Sequence, residues 1–254
     1  MARRFPMLPA PPDWLREVPL AHRGLHGDGA PENTLGAFAA AARAGVGVEL
    51  DVHRSRDGVP VVVHDPDVTV EGRRRPVATL DADALGALRV GDGADGVPTL
   101  AQALEVLADV PVMVEVKNVA PTAGLLEPAV ATLLARHPGP VCVASFNPRS
   151  LQWFRRHLPD VPRAQTAGLL AHVPIPAVLR WSLRTLRWLR AVQPAAVSYD
   201  LVGIDHSAVQ AYRQAGGTVV AWTVATTDGL VRARRYADNV VFEHLPVDEV
   251  QPVA

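Results

Sequence analysis

Val46–Asp65 reads VGVELDVHRSRDGVPVVVHD, and the way this stretch folds decides how the rest of the chain is read. Val46 to Val52 is an apolar run that carries two acids, Glu49 and Asp51, spaced by two residues. A β-strand sends alternate side chains to opposite faces, so both carboxylates leave the same face. Asp57-Gly58 suits a two-residue hairpin, because a type I′ turn needs φ > 0 at both central positions. A turn there sets Arg56 against Val59 and, counted outward, Asp51 against His64. Two acids and an imidazole then share one surface.

Upstream, the short run VPLAHRG delivers His22 and Arg23 to a strand end, and after the loop GLHGDGAPEN, Thr34 opens an alanine-rich helix that Gly45 stops. Downstream, residues 66–98 are charged and glycine-rich, with GRRRP and a helical piece DADALGALR, and read as a small insertion. Thr99 starts a further helix, and VPVMVEVKN is a strand that ends on Glu115, Lys117 and Asn118. Helices near 122–136, 148–157, 176–191, 205–215 and 227–236 then alternate with apolar strands. With the return arm of the hairpin set aside, strand ends fall near His22, Asp51, Lys117, Phe146, Thr166, Tyr199, Thr223 and Glu243. Eight βα units in about 250 residues argue for an α/β fold, a (β/α)8 barrel with a hairpin extension after strand 2, in one domain spanning 1–254. An open doubly wound sheet gives the same local signals.

The composition excludes several classes. With 25 basic and 26 acidic residues the formal charge is −1, which gives no electrostatic case for nucleic acid. Cys142 is the only cysteine, which excludes an internal disulfide and a cysteine-rich metal site. The proline-interrupted start MARRFPMLPAPP has no apolar core of a secretory leader, and no window approaches the ~18 apolar residues of a membrane span. A cytoplasmic protein is expected. One helix suggests an additional partner: in 176–192, Arg180, Arg184 and Arg187 share one helical face while Leu179, Leu183, Leu186, Trp181 and Trp188 supply an apolar one. That pattern fits an outer barrel helix, or peripheral contact with a lipid surface.

In a barrel of this kind, chemistry sits at the C-terminal strand ends. Glu49, Asp51 and Glu115 would converge there as an all-oxygen set suited to a hard divalent cation, Mg²⁺ or Ca²⁺. His22 and His64 would flank it as general base and general acid. Arg23 and Lys117 add two cations at the same rim, suited to a phosphate. Asp65 would orient His64.

AHRG, PENT, VELDV, DGVPVVVHD and VEVKN, in this order, resemble the glycerophosphodiester phosphodiesterase family of metal-dependent TIM barrels. The resemblance is strong over about 19–118 and looser through SFNP at 145–148 and AWTV at 221–224. It implies hydrolysis of a glycerophosphodiester, a small-molecule substrate, to glycerol 3-phosphate and an alcohol. It also implies catalytic roles for His22 and His64, phosphate binding by Arg23, a substrate-side role for Lys117, and metal ligation by Glu49, Asp51 and Glu115. Glu32 of PENT is implied to hydrogen-bond to the ligand shell without coordinating. The end reads VVFEHLP, with Phe242 and Glu243 where many members carry a Thr-Asp pair, which bears on substrate identity. Head group and oligomeric state are left open. Lysophospholipase D-type activity and a catalytically silent phosphate-binding barrel are the alternatives.

Overall fold

The computed structural model describes residues 9–27, 29–91, 93–118, 123–171 and 175–251. The leader question rests largely on 1–8, and the first residue of the helix expected at 122–136 is 122; both lie outside the described residues. The chain divides into two compact units: Leu20–Val141, and the described residues up to Pro19 with those from Cys142 onward.

In the unit Leu20–Val141, β1 (Leu20–His22), β2 (Gly47–Arg54), β3 (Pro60–Val62), β4 (Asp67–Val70), β5 (Arg73–Pro76) and β6 (Val112–Val116) follow in chain order. β2 is central, pairing in parallel with β1 (His22 opposite Glu49) and with β6 (Asp51 opposite Glu115). Its residues Val48, Leu50 and Val52 are fully buried. Thr34 caps the helix Leu35–Arg43, its Oγ1 accepting from Ala37 N at 3.4 Å, and Gly45 takes φ +69° just past the end. Thr99 and Gln102 form a reciprocal capping box on the helix Leu100–Val106. Each such cap is worth about 1 kcal/mol.

The hairpin extension exists, but in a different register from the one the Asp-Gly dipeptide predicts. β2 and β3 pair Val52 with Val62, His53 with Val61 and Arg54 with Pro60. Asp51 therefore faces Val63, whose N–H donates to the Asp51 carbonyl at 3.0 Å, and Ser55 faces Val59. The loop has three residues, Arg56, Asp57 and Gly58, and only Gly58 is left-handed (φ +89°). Ser55 explains the choice. Its hydroxyl bonds Asp57 Oδ1 at 2.5 Å and accepts from Val59 N at 2.9 Å, stabilising a turn one residue longer than type I′.

The insertion holds more regular structure than its composition suggests: β4 and β5 form an antiparallel hairpin in which GRRRP supplies a strand. A 3₁₀ turn, Val77–Thr79, and the helix Ala82–Gly86 follow. Val77, Leu85 and Val97 bury with Val61 of β3, so the insertion packs on the return arm of the hairpin.

The other unit contains β7 (Val141–Ser145), β8 (Arg163–Ala167), β9 (Ala196–Asp200), β10 (Thr218–Val224) and β11 (Asn239–Phe242), neighbours in parallel pairs. The helices Pro148–His157, Ser207–Gln214 and Thr227–Tyr236 lie where the sequence predicts them. The helix expected at 176–191 is broken into Ala177–Arg184 and Leu189–Val192, with Leu186 left-handed (φ +52°) between them. Arg187 thus leaves the shared face with Arg180 and Arg184, and its guanidinium stacks 5.3 Å from the Trp181 ring instead. Phe242 is 1 % exposed and belongs to the core. With three parallel strands in the first unit and five in the second, alternating with helices, the fold is the expected (β/α)8 barrel. Among the described residues, no helix is long and apolar enough to cross a membrane.

Candidate active site

Every site residue expected from the sequence lies in the unit Leu20–Val141: His22, Arg23 and Glu32 at and after the end of β1, Glu49 and Asp51 within β2, Glu115 and Lys117 at the end of β6, and His64 and Asp65 past the end of β3. Glu49, Asp51 and Glu115 are 6 %, 1 % and 6 % exposed, and one ligand atom of each lies within 4.8 Å of the others. Their convergence follows from the strands. Glu49 and Asp51 share a face of β2, and parallel pairing of β2 with β6 brings Glu115 beside Asp51.

Asp51 is the most heavily paired group. Lys117 Nζ lies 2.9 Å from its Oδ1, Arg23 Nε 3.2 Å from its Oδ2, and Asn33 Nδ2 donates to Oδ2 at 3.0 Å. Burial alone would raise this carboxyl, but Lys117 and Arg23 hold it at about 2. Lys117 also reaches Glu115 Oε1 at 2.6 Å, and Arg23 Nη1 reaches both oxygens of Glu32, at 2.7 and 2.8 Å. Burial works against both cations, yet the acids around them keep their pKa values above the ordinary ones. Glu32 therefore touches Arg23. Arg23 and Lys117, expected at a phosphate, also neutralise the carboxylates.

Glu49 is left differently. Its Oε2 is buried without a hydrogen-bond donor among the described residues, and His22 Nε2 stands 3.9 Å away, too far to bond. Burial, then repulsion from Asp51 and Glu115, push its carboxyl well above the ordinary value. Three carboxylates face two cations, and one of those also serves Glu32. A buried, unpartnered carboxylate oxygen in an all-oxygen cluster of net negative charge fits a hard divalent cation.

His64 lies past the end of β3, in a bend, with its side chain 38 % exposed. Its Nδ1 is 2.9 Å from Asp65 Oδ1, which fixes that nitrogen as the protonated one and leaves Nε2 for proton exchange. A cleft of about 190 Å³ borders it, lined by Glu32, Asn33 and Asp65 on the polar side and by Val62, Val63 and Val97 on the other.

Sequence reasoning missed two residues. Asn33 stands inside the quoted PENT motif, and an Asn that tolerates φ +56° beside a strand end was the available signal. His53 carries no such signal in the sequence. It follows Glu49 and Asp51 on the same face of β2, and its Nε2 bonds the His64 carbonyl at 3.0 Å.

The sequence of residues 22–248 matches the model of the glycerophosphoryl diester phosphodiesterase family. Among curated proteins the chain is 31 % identical over 221 residues to the Mycobacterium tuberculosis protein designated probable glycerophosphodiester phosphodiesterase 2, covering 83 % of this chain and 81 % of that one. It is also 31 % identical over 241 residues to glycerophosphodiester phosphodiesterase 1 of Mus musculus, covering 82 % and 72 %. Among solved structures, an Oleispira antarctica phosphodiesterase in complex with the product sn-glycerol-3-phosphate superposes with a TM-score of 0.77, at 24 % identity and with 91 % and 94 % of the two chains covered. A glycerophosphodiester phosphodiesterase from Parabacteroides distasonis superposes with a TM-score of 0.74, at 20 % identity and with 92 % and 95 % covered. The match runs from the first strand end, at His22, through the last strand, and the chain belongs to the glycerophosphoryl diester phosphodiesterase family.

Proposed function

We propose that this protein hydrolyses glycerophosphodiesters to glycerol 3-phosphate and an alcohol, using a divalent cation, Mg²⁺ or Ca²⁺, held by Glu49, Asp51 and Glu115. The observation that carries this reading is the buried three-carboxylate cluster, with His22 beside Glu49, in a chain of this family. When bound, the cation polarises a phosphoryl oxygen and offsets charge that builds up on it. The protein's own groups do the rest. One of His22 and His64 takes the proton from the attacking oxygen, and the other gives a proton to the alcohol oxygen as its bond to phosphorus breaks. Asp65 keeps the His64 proton on Nδ1, so that Nε2 is the atom that serves. Arg23 and Lys117 divide their charge between the carboxylates and the phosphate. A cytoplasmic location and a substrate other than nucleic acid belong to the same reading.

The test is an assay on glycerophosphocholine with and without EDTA. Hydrolysis that stops on chelation and returns with Mg²⁺ or Ca²⁺ is expected. Activity indifferent to chelation rejects the cation, and no turnover of any glycerophosphodiester rejects the activity.

A second reading, lysophospholipase D-type hydrolysis at a lipid surface, is favoured by one surface of the molecule. Val178 and Trp181 are 77 % and 46 % exposed on the helix Ala177–Arg184, which also carries Arg180 and Arg184. No acidic residue occurs between Asp160 and Asp200. An exposed Trp amid cations suits an anionic bilayer surface. Flotation with anionic vesicles, abolished by Trp181→Ala with turnover of glycerophosphocholine unchanged, is expected under this reading; failure of the unaltered protein to float removes it.

A further inference from the structure

The arm that carries His64 is not fixed at its tip by strand pairing. β3 ends at Val62, and the last ladder contact is the bond from Val63 N to the Asp51 carbonyl, 3.0 Å. His64 lies one residue beyond, in a bend, between that bond and the next backbone tie, from Val77 N to the Pro66 carbonyl at 2.8 Å. One cross-strand bond reaches past the ladder. His53 Nε2 lies 3.0 Å from the His64 carbonyl oxygen. A carbonyl only accepts, so Nε2 carries the proton and donates.

His53 is placed for this by the same alternation that places the acids: Glu49, Asp51 and His53 are successive same-face residues of β2. Its backbone is paired opposite Val61, which is fully buried under the insertion, so the ring is mounted on a part of the hairpin that cannot move independently. His64 is thereby held twice: its backbone by His53, and its ring by Asp65.

We propose that His53 is a positioning residue for His64, its ring N–H fixing the height at which the His64 imidazole meets the substrate. This deepens the function proposed above and rests on His64 being one of the two proton-handling groups. His53 itself touches no reacting atom. The effect falls on turnover because a displacement of about 1 Å in a reacting group costs up to about 10²-fold in rate, whereas ground-state binding by the rest of the site is untouched.

The experiment compares steady-state hydrolysis of glycerophosphocholine, with saturating Mg²⁺, by the unaltered protein, His53→Leu, His53→Gln and His64→Ala, with thermal melts of each. Leu fills the volume of the ring but offers the carbonyl no donor; Gln presents an N–H at comparable reach. His53→Leu is expected to lower kcat by about 10-fold or more with KM within about twofold, and His53→Gln to recover most of the loss although the melts of the two variants agree. Amide exchange at His64 and Asp65 should be faster in the Leu variant than in the Gln variant. Turnover by His53→Leu equal to that of the unaltered protein overturns the proposal, as does a Gln variant no better than Leu. Near-normal turnover by His64→Ala would instead remove the role assigned to His64 and with it the reading on which this one rests.

Discussion

The strand ends of the two compact units carry different chemistry. In Leu20–Val141 they present Asp51, Glu115 and Lys117, tied to one another by ion pairs, with Glu49 and His22 beside them. In the unit from Cys142 onward the strands hold Ser145, Thr166, Ser198 and Trp222, and the acids there, Asp200 at the end of β9 and Glu243 just past β11, are only half-buried. Among these, Thr166 Oγ1 and Trp222 Nε1 are buried with no hydrogen-bond partner among the described residues. The contrast shows where the fold tolerates buried charge. An isolated carboxylate costs too much, so buried acids are gathered where cations stand beside them. A neutral hydroxyl can be left unpaired at a much smaller cost.

The contrast breaks most completely if Asp51 is neutralised. Asp51→Ala leaves Lys117 and Arg23 without their shared counter-charge, and removing one partner of a buried ion pair costs about 3–5 kcal/mol. Denaturant titration should show a loss of that size, with activity abolished. His64→Ala and His22→Ala should each lower kcat by about 10²-fold or more while the melt stays close to that of the unaltered protein. Retention of turnover in either variant would reassign the proton transfer.

Glu49 gives a subtler test, through pH. Its carboxyl is raised in the folded protein, so the folded state holds that proton more tightly than the unfolded chain. The stabilising contribution is full below the ordinary Glu value of about 4.3 and is lost as pH rises through the raised one. Chelated protein should therefore lose on the order of a few °C in Tm across that window. Glu49→Gln should remove that dependence, and saturating Mg²⁺ or Ca²⁺ should reverse it, because the cation binds the ionised form. A chelated melt independent of pH in this window would place Glu49 outside the cluster.

The unit from Cys142 onward should respond least. Thr166→Val deletes an unpaired hydroxyl at nearly constant shape and should be neutral, or stabilising by up to about 1 kcal/mol, in a thermal melt. Cys142, fully buried and with its thiol pushed up by burial to about 12, should ignore a thiol reagent at pH 8 until the protein is unfolded.

Much of this site could be read from residue order because strand alternation is local physics. Glu49 and Asp51 on one face and helix starts at Thr34 and Thr99 follow from rules that span a few residues, and Glu115 joins them through the eight-strand order that the alternating elements imply. The hairpin register did not, because it was decided by a side chain competing with the backbone: the Ser55 hydroxyl, three positions before Gly58, lengthened the turn. The same one-residue shift took His64 out of the ladder, and made His53 the group that holds it. The break in the helix at 176–191 was equally hidden, since the sequence there, SLRTLRW, keeps an apolar period through residues that turn left-handed at Leu186. In the insertion, three consecutive arginines obscured a strand that is held by pairing with Asp67–Val70 and not by burial.

Arg23 and Asn33 both adopt left-handed backbone, φ +57° and +56°, and Asn33 N donates to the Arg23 carbonyl at 2.9 Å. Because both side chains also end on Asp51 Oδ2, the connection between them is sewn shut at its base. A longer connection between them then costs little at its base, since closing a somewhat longer loop adds only about 0.6 kcal/mol per doubling of its length. For protein engineering, that makes the stretch between Gly27 and Ala30 the place for inserted sequence, because Leu25 and Pro31 on either side keep their own bonds, to the Ala37 carbonyl and from the Thr34 hydroxyl.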